Sequence, residues 1–427
     1  MNIKQIFSVT SIVAISLAST TALAGGAPAE TSTPSTASAG NGDFADAMMN
    51  GKPYVKIRYR FENVDQDGFA KDANASTIRT KLGYTTGKFH NLQASLELEN
   101  STDLGGDNYN DTLNGKNLPV IADPDSTEVN HAYLDSTHIP DTLIRVGRQP
   151  VNLDNQRFVG TVGWRQNDQT YDAAVAINSS IQDTTLIYGY VDNVNRIFSD
   201  DHPFGNLGTT THLINASYSG LDFLKIVGYG YIWDLDDAAV STLSAKTFGL
   251  RLTGDYKIND DVKALYTAEY ARQSDTGDNP NSYDADYYNL KAGIAAHGFT
   301  AELGYEVLGS DNGGTVSFQT PLATGHAHNG WADKFLSTPA TGLEDFSASL
   351  AYKFSNSNEW VDGTQAKIVY HDFSADSGGG DYGNEWNASL SQTFKKHYSV
   401  SLKYADYEAD NFATDTQKFW LTVGLNF

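Results

Sequence analysis

From position 51 to its end the chain alternates. In successive segments of about ten residues, every second side chain is apolar or aromatic and those between are polar, charged or small, the period of two that belongs to strands. Val55, Ile57, Tyr59 and Phe61 share one parity, and Lys56, Arg58, Arg60 and Glu62 the other. Leu92, Ala94, Leu96 and Leu98 alternate in the same way with Gln93, Ser95, Glu97 and Glu99. At the end, Phe419, Leu421, Val423, Leu425 and Phe427 oppose Lys418, Trp420, Thr422 and Asn426.

The connections alternate too. Short turns fall near 87–91, 138–141, 178–182, 220–222, 259–261, 297–298, 355–363 and 395–397. Longer stretches rich in Asp, Gly and Asn fall near 65–74, 101–125, 150–168, 193–210, 234–244, 274–283, 310–341, 375–382 and 409–414. Eight turns and nine loops imply eighteen strands, with short connections at one end and long ones at the other. The predicted fold is all-β: a transmembrane antiparallel β-barrel of about 18 strands with short periplasmic turns and long extracellular loops. A soluble sheet also alternates, but the apolar parity here is rich in Tyr, Phe, Leu and Val, the blend of a lipid face with aromatic girdles. Lipid leaves no solvent for an open sheet edge, so the first strand near Tyr54 is expected to pair with the last near Leu421.

The N-terminus has a different texture. Lys4, an apolar run over 6–17 and the small-residue site Ala22-Leu23-Ala24 predict a signal peptide over 1–24. Residues 25–50, rich in Ala, Gly, Ser, Thr and Pro, predict a flexible periplasmic lead-in with one helical turn at 43–49. The barrel occupies 51–427.

Composition narrows the function. There are 29 Lys and Arg against 52 Asp and Glu, a formal charge of −23. Nucleic-acid affinity is built from counterions released at cationic side chains, so that class of partner is excluded. The absence of Cys removes disulfides, thiolate catalysis and thiolate metal sites. A mean hydropathy of −0.40 is too polar for a bundle of membrane-spanning helices.

Several blocks carry a family likeness. RVGRQPVNLDNQRFVGTVGWRQNDQTYDA at Arg145 to Ala173, IRYRFENVDQ at Ile57 to Gln66, TIRTKLGYTTGKF at Thr77 to Phe89, STEVNHAYLD at Ser126 to Asp135 and VNRIF at Val194 to Phe198 resemble the alginate export porin family. The resemblance implies an 18-stranded barrel in the outer membrane of a Gram-negative bacterium, with transport of alginate-like polysaccharide as the expected theme. Outer-membrane lipid and, through the terminal aromatic Phe427, the barrel-assembly machinery are the expected partners.

A barrel of this size encloses a channel. On the strand phasing, the inward set includes Lys56, Arg58, Arg60, Arg79, Lys81, Arg145 and Arg251, together with Lys263, Lys291, Lys353, Lys367, Lys403 and Lys418. Rings of cations favour anionic solutes. Glu62, Glu97, Glu99, Asp255, Glu302 and Glu306 share that face. The lining therefore reads either as a self-neutralising network or as an anion path. Lys56, Arg58, Arg60, Arg79 and Lys81 crowd two adjacent strands with only Glu62 among them, which favours the second reading, with charge left unmatched locally.

Within 150–168, Val151, Leu153, Phe158, Val159, Val162 and Trp164 make the loop too apolar to stand in water, so it is expected to fold into the mouth and constrict it. There Arg157 and Arg165 are expected to contact the solute, a planar fork for carboxylates, with Trp164 as an apolar sugar platform. Arg148 shares the outward parity of Ile144 and Val146 and turns inward only if Gly147 marks a bulge.

The expected function is diffusion of small hydrophilic, anionic solutes such as acidic saccharides through an outer-membrane porin. The alternative is a structural or surface-recognition barrel with a plugged lumen, used in adhesion or by phage. Lone histidines such as His131 and His371 are insufficient for a catalytic reading, and no cofactor is expected. The acidic loops, such as Asp65-Gln66-Asp67, Asp123-Pro124-Asp125, Asp200-Asp201 and Asp234-Leu235-Asp236-Asp237, read as solvated charge that keeps the loops soluble, with Ca²⁺ on their oxygen ligands as the alternative.

Overall fold

The computed structural model describes residues 43–427 except positions 107, 312 and 359. The expected signal peptide at 1–24 and residues 25–42 of the expected lead-in lie outside the described residues. The described part of the lead-in holds α1 (Phe44–Met49), the helical turn expected there.

Eighteen strands follow: β1 (Lys52–Gln66), β2 (Ala73–Thr85), β3 (Leu92–Asp103), β4 (Ser126–Ser136), β5 (Thr142–Gln149) and β6 (Thr170–Asn178). The middle third comprises β7 (Thr184–Asn195), β8 (Asn206–Leu221), β9 (Leu224–Leu235), β10 (Ala245–Lys257), β11 (Val262–Asp275) and β12 (Asp284–Ala296). The last third comprises β13 (Phe299–Leu308), β14 (Leu343–Lys353), β15 (Gln365–Ser374), β16 (Asp381–Phe394), β17 (Tyr398–Ala409) and β18 (Thr416–Asn426). Each strand pairs antiparallel with its sequence neighbours, and β1 closes the barrel on β18 with Tyr59 opposite Val423 and Phe61 opposite Leu421. Phe427 completes the seam: its N–H donates to the Val55 carbonyl at 2.9 Å, the Val55 N–H donates back at 2.8 Å, and its ring stacks on His397.

Side-chain alternation decides which face meets lipid. Leu82, Leu98, Leu134, Val146, Ile214, Leu250, Leu290, Leu303, Leu350, Ile368 and Trp386 stand out from the wall on the expected apolar parity. Their neighbours in sequence point into the lumen. Arg148 stays on the outer face: β4 and β5 pair in unbroken register from Ala132↔Arg148 to Ser136↔Ile144, and Arg148 binds Asp172 at 2.8 Å. Gly147 is needed for its conformation, φ +122°, where a Cβ would sit 2.3 Å from the Ala132 carbonyl oxygen.

The hydrophobic core lies inside the barrel. Inward positions at the extracellular ends of the strands are apolar or aromatic, among them Val191, Leu213, Tyr229, Tyr231 and Tyr287, because two long loops fold in and cover them. Loop 150–169 contributes Val151, Leu153, Phe158, Val159 and Trp164, as its composition led one to expect. Loop 309–342 contributes Phe318, Leu322, Trp331, Ala332 and Phe335, so the longest loop, expected on the extracellular surface, is largely inside the barrel as well. The gain from removing that apolar surface from water outweighs the ordering of the loop backbone.

Candidate functional site

The mouth of the barrel is built by these two loops and the wall that grips them. They join each other first. Val159 and Leu322 pair as a parallel β-bridge, the Gly160 N–H donates to the Leu322 carbonyl at 2.9 Å, and the Thr324 N–H donates to the Gln156 carbonyl at 3.0 Å. The Phe158 ring lies 5.3–6.0 Å from Tyr229, Tyr231, Tyr287 and Phe318, which seats the junction on β9 and β12.

The cationic cluster of β1 and β2 holds loop 150–169 in place. Arg58 donates from Nε to Gln166 Oε1 at 2.9 Å and from Nη1 to the Gly163 carbonyl at 2.8 Å, and a third contact reaches the Arg165 carbonyl. Arg60 donates to the Trp164 carbonyl at 2.6 Å and lies 4.0 Å from the centre of the Trp164 ring. Arg79 reaches Asp168 at 2.9 Å and Glu99 at 3.7 Å. Lys81 binds Glu99 at 2.9 Å, Glu97 at 3.4 Å and Asp168 more closely still. The expectation of locally unmatched charge is therefore corrected. Two carboxylates of β3 and one from the loop match Arg79 and Lys81, while Arg58 and Arg60 cap carbonyls of a loop whose backbone has no sheet partner there.

Arg157 and Arg165, expected at the solute, are turned into the interface between loop and wall. Arg157 donates to Glu306 of β13 at 2.9 Å and to Asn329 of the other loop at 2.9 Å. Arg165 binds Glu62 at 3.0 Å and Asp333 at 3.4 Å, with Asp123 at 3.7 Å. Burial alone would lower the Arg165 pKa, but Glu62, Asp123 and Asp333 more than offset it and hold the guanidinium above its ordinary value. At Asp168 burial opposes ionisation, yet Lys81 and Arg79 keep the carboxyl well below the usual range. Trp164 is buried: its ring stacks on His326 with centroids 3.9 Å apart and planes 6° from parallel. Of the remaining expected residues, Arg145 pairs with Asp135 at 2.7 Å under Tyr133, and Arg251 pairs with Glu269. Lys56 lies half-buried on the lumen face of β1, beside Tyr54.

Loop 309–342 grips the stretch of wall from β14 to β18, which the seam joins to β1. The Trp331 and Ala332 N–H groups donate to Glu385 of β16 at 2.5 and 2.9 Å, Asn329 donates to Asp345 of β14 at 3.0 Å, and Asp333 receives Lys418 of β18 at 2.9 Å. Lys403 of β17 is enclosed by Trp331, Trp164 and Trp420, its Nζ 3.9, 4.1 and 5.5 Å from the ring centres. Asp333 and Glu385 escaped the sequence reading. A readable hint of this contact was Trp420, an aromatic on the polar parity of the last strand.

Below the loops, Lys291 of β12 and Lys367 of β15 point into the lumen. Among the described residues neither makes a hydrogen bond or an ion pair. Lys291 leans over Gly304, whose row across the wall continues through Ser347 to His371, so small side chains keep the surface beside it low. The acidic loops weighed for Ca²⁺ do not converge: among the described residues no three His, Asp or Glu side chains form a cage. Asp123 accepts instead from the Gln166 N–H at 2.8 Å.

Residues 54–186 match the Alginate export family. That match runs from β1 to the beginning of β7 and includes loop 150–169 and four of the five blocks that carried the resemblance, VNRIF at Val194 to Phe198 lying beyond it. Among curated proteins no sequence matches the chain. In fold the chain is similar to OpdK of Pseudomonas aeruginosa, crystallised with vanillate, at TM-score 0.69 and 14% identity over 89% of this chain and 99% of that one. OccAB3 of Acinetobacter baumannii superposes at TM-score 0.69 and 15% identity over 89% and 100% of the two chains. OccAB2 of the same organism does so at 0.68 and 18% over 90% and 99%. The chain therefore shares the closed 18-stranded β-barrel fold of these proteins, with an apolar belt suited to the outer membrane, and matches the Alginate export family over its first strands.

Proposed function

We propose that this chain is an outer-membrane channel through which small hydrophilic anions, acidic saccharides above all, diffuse down their gradient. The observation that carries the reading is the division of labour among the inward cations. Arg58, Arg60, Arg79, Lys81, Arg157 and Arg165 are engaged in holding the two loops that narrow the mouth, whereas Lys291 and Lys367 face the lumen without a hydrogen bond or ion pair among the described residues. An ammonium held in no direct ion pair concentrates anions between low-dielectric walls and has no bonded partner to give up first. A carboxylate is the group shared by an alginate-like uronate chain and by the vanillate in the OpdK structure, so the same lysines suit either.

The test is reversal potential in planar bilayers under a salt gradient. The wild type is expected to favour anions, and Lys291→Gln with Lys367→Gln to shift the potential towards cations, more so at low ionic strength because the Debye length is only about 8 Å at physiological salt. An oligouronate should block the wild type more strongly than the double variant. A correctly inserted barrel without conductance would favour a plugged structural or recognition barrel instead. Unchanged selectivity in the double variant would remove the lysines from the path.

A further inference from the structure

The contact between the two loops and the wall of β17 centres on His326. Its ring is buried against Trp164, Nδ1 lies 2.7 Å from Asp333 Oδ1, and Nε2 lies 2.7 Å from Lys403 Nζ. Those two partners dictate a single protonation state. The carboxylate of Asp333 accepts, so Nδ1 must carry the proton; the ammonium of Lys403 donates, so Nε2 must offer a lone pair. With Lys403 charged, only neutral imidazole satisfies both. A second proton would put an N–H against an ammonium, and the three tryptophans around Lys403 give it no other acceptor among the described residues.

We propose that His326 is an acid-sensitive latch, which while neutral clamps loop 309–342 to Trp164 and to β17, and when protonated lets that loop leave the mouth and widen the channel. The inference rests on the channel reading above and adds its regulation.

Charges on every packed element bear on it. Asp333 comes from its own loop, Arg165 from the facing loop and Lys403 from β17. Behind them, Lys418 of β18 sits on Asp333, Glu62 of β1 on Arg165, Arg60 of β1 over Trp164, and Glu385 of β16 beneath the Trp331 N–H. Burial, opposed by Asp333 and reinforced by Lys403 and Arg165, holds the imidazole well below the ordinary histidine range. In the released loop a hydrated imidazole titrates near its ordinary value of about 6.5. The folded pKa is the lower one, so the closed arrangement is at full strength above about pH 6.5 and weakens progressively below it. Asp333, itself held well below the usual carboxylate range, stays ionised throughout this window.

The experiment compares conductance, and labelling of Ala332→Cys by an externally added methanethiosulfonate, at about pH 7.5 and about pH 5, on either side of the free imidazole value. The native chain has no Cys and Ala332 is only 2% exposed, so labelling reports departure of the loop. The otherwise native chain is expected to conduct more at acid pH, and Ala332→Cys to label about tenfold faster or more when its rate is divided by that of the exposed Ser337→Cys, which carries the same loss of reactive thiolate in acid; tenfold is the factor that one pH unit below the free imidazole value gives for a single linked proton. His326→Gln should lose the acid response. Lys403→Met should weaken the acid response or abolish it, because without the facing ammonium the closed arrangement accepts a protonated imidazole on Asp333. Equal conductance and an unchanged labelling rate relative to Ser337→Cys at both pH values, or a full acid response in His326→Gln, would overturn the latch. Acid-dependent labelling without conductance at any pH would leave the latch standing and overturn the channel reading.

Discussion

Val159 and Leu322 meet as a parallel β-bridge within the barrel, each from a loop whose ends are fixed to different strands. Through it the two inturned loops act as one body, braced on the continuous arc from β16 through the seam to β2 and, further round, on β9 and β12–β14. Deleting 155–163 removes half of the bridge together with Arg157, and so should loosen loop 309–342 as well. The expected result is a higher single-channel conductance and weaker block by an oligouronate; a properly inserted deletion variant with neither change would show that the constriction lies elsewhere.

Arg157 and Glu306 are buried partners at 2.9 Å. Removing one member of such a pair leaves an uncompensated charge, at a cost of about 3–5 kcal/mol. Arg157→Met should therefore lower the thermal stability of the mouth markedly, and Glu306→Gln in the same chain should recover part of the loss. Additive losses in that double-mutant cycle would mean that the two side chains do not act on each other.

Leu303 faces lipid near the middle of β13, whereas Ser349 of β14 faces the lumen opposite Glu302. Arg at Leu303 should cost about 2–4 kcal/mol of barrel stability, and Arg at Ser349 far less. Comparable costs at the two positions in refolding titrations would contradict the assigned faces.

Loop 309–342 can be mapped by cysteine accessibility in intact cells, since the native chain has no Cys. Ser337 is exposed and Ser317 is buried, so Ser337→Cys should react with an impermeant reagent and Ser317→Cys should stay silent at neutral pH. Rapid reaction at both would return the loop to the extracellular surface.

What the sequence determined by itself is whatever follows from a strict period of two. A one-residue slip exchanges the lipid and lumen faces of a strand, so the alternation of Ile57, Tyr59 and Phe61 with Lys56, Arg58 and Arg60 was enough to place every one of them. Turn and loop signals were enough to count eighteen strands. The apolar content of 150–168 was enough to send that loop inwards, because Phe158 and Trp164 need cover wherever they are. The destination of each charge was decided only by the tertiary structure. Arg165 finds Glu62 from a loop four strands further on, and Lys403 of β17 finds His326 of loop 309–342, contacts that carry no local spacing to read. Arg157 and Lys291 look alike along the chain. The fold buries one between two loops and leaves the other facing the lumen, since which cations are consumed depends on where the loop backbones settle.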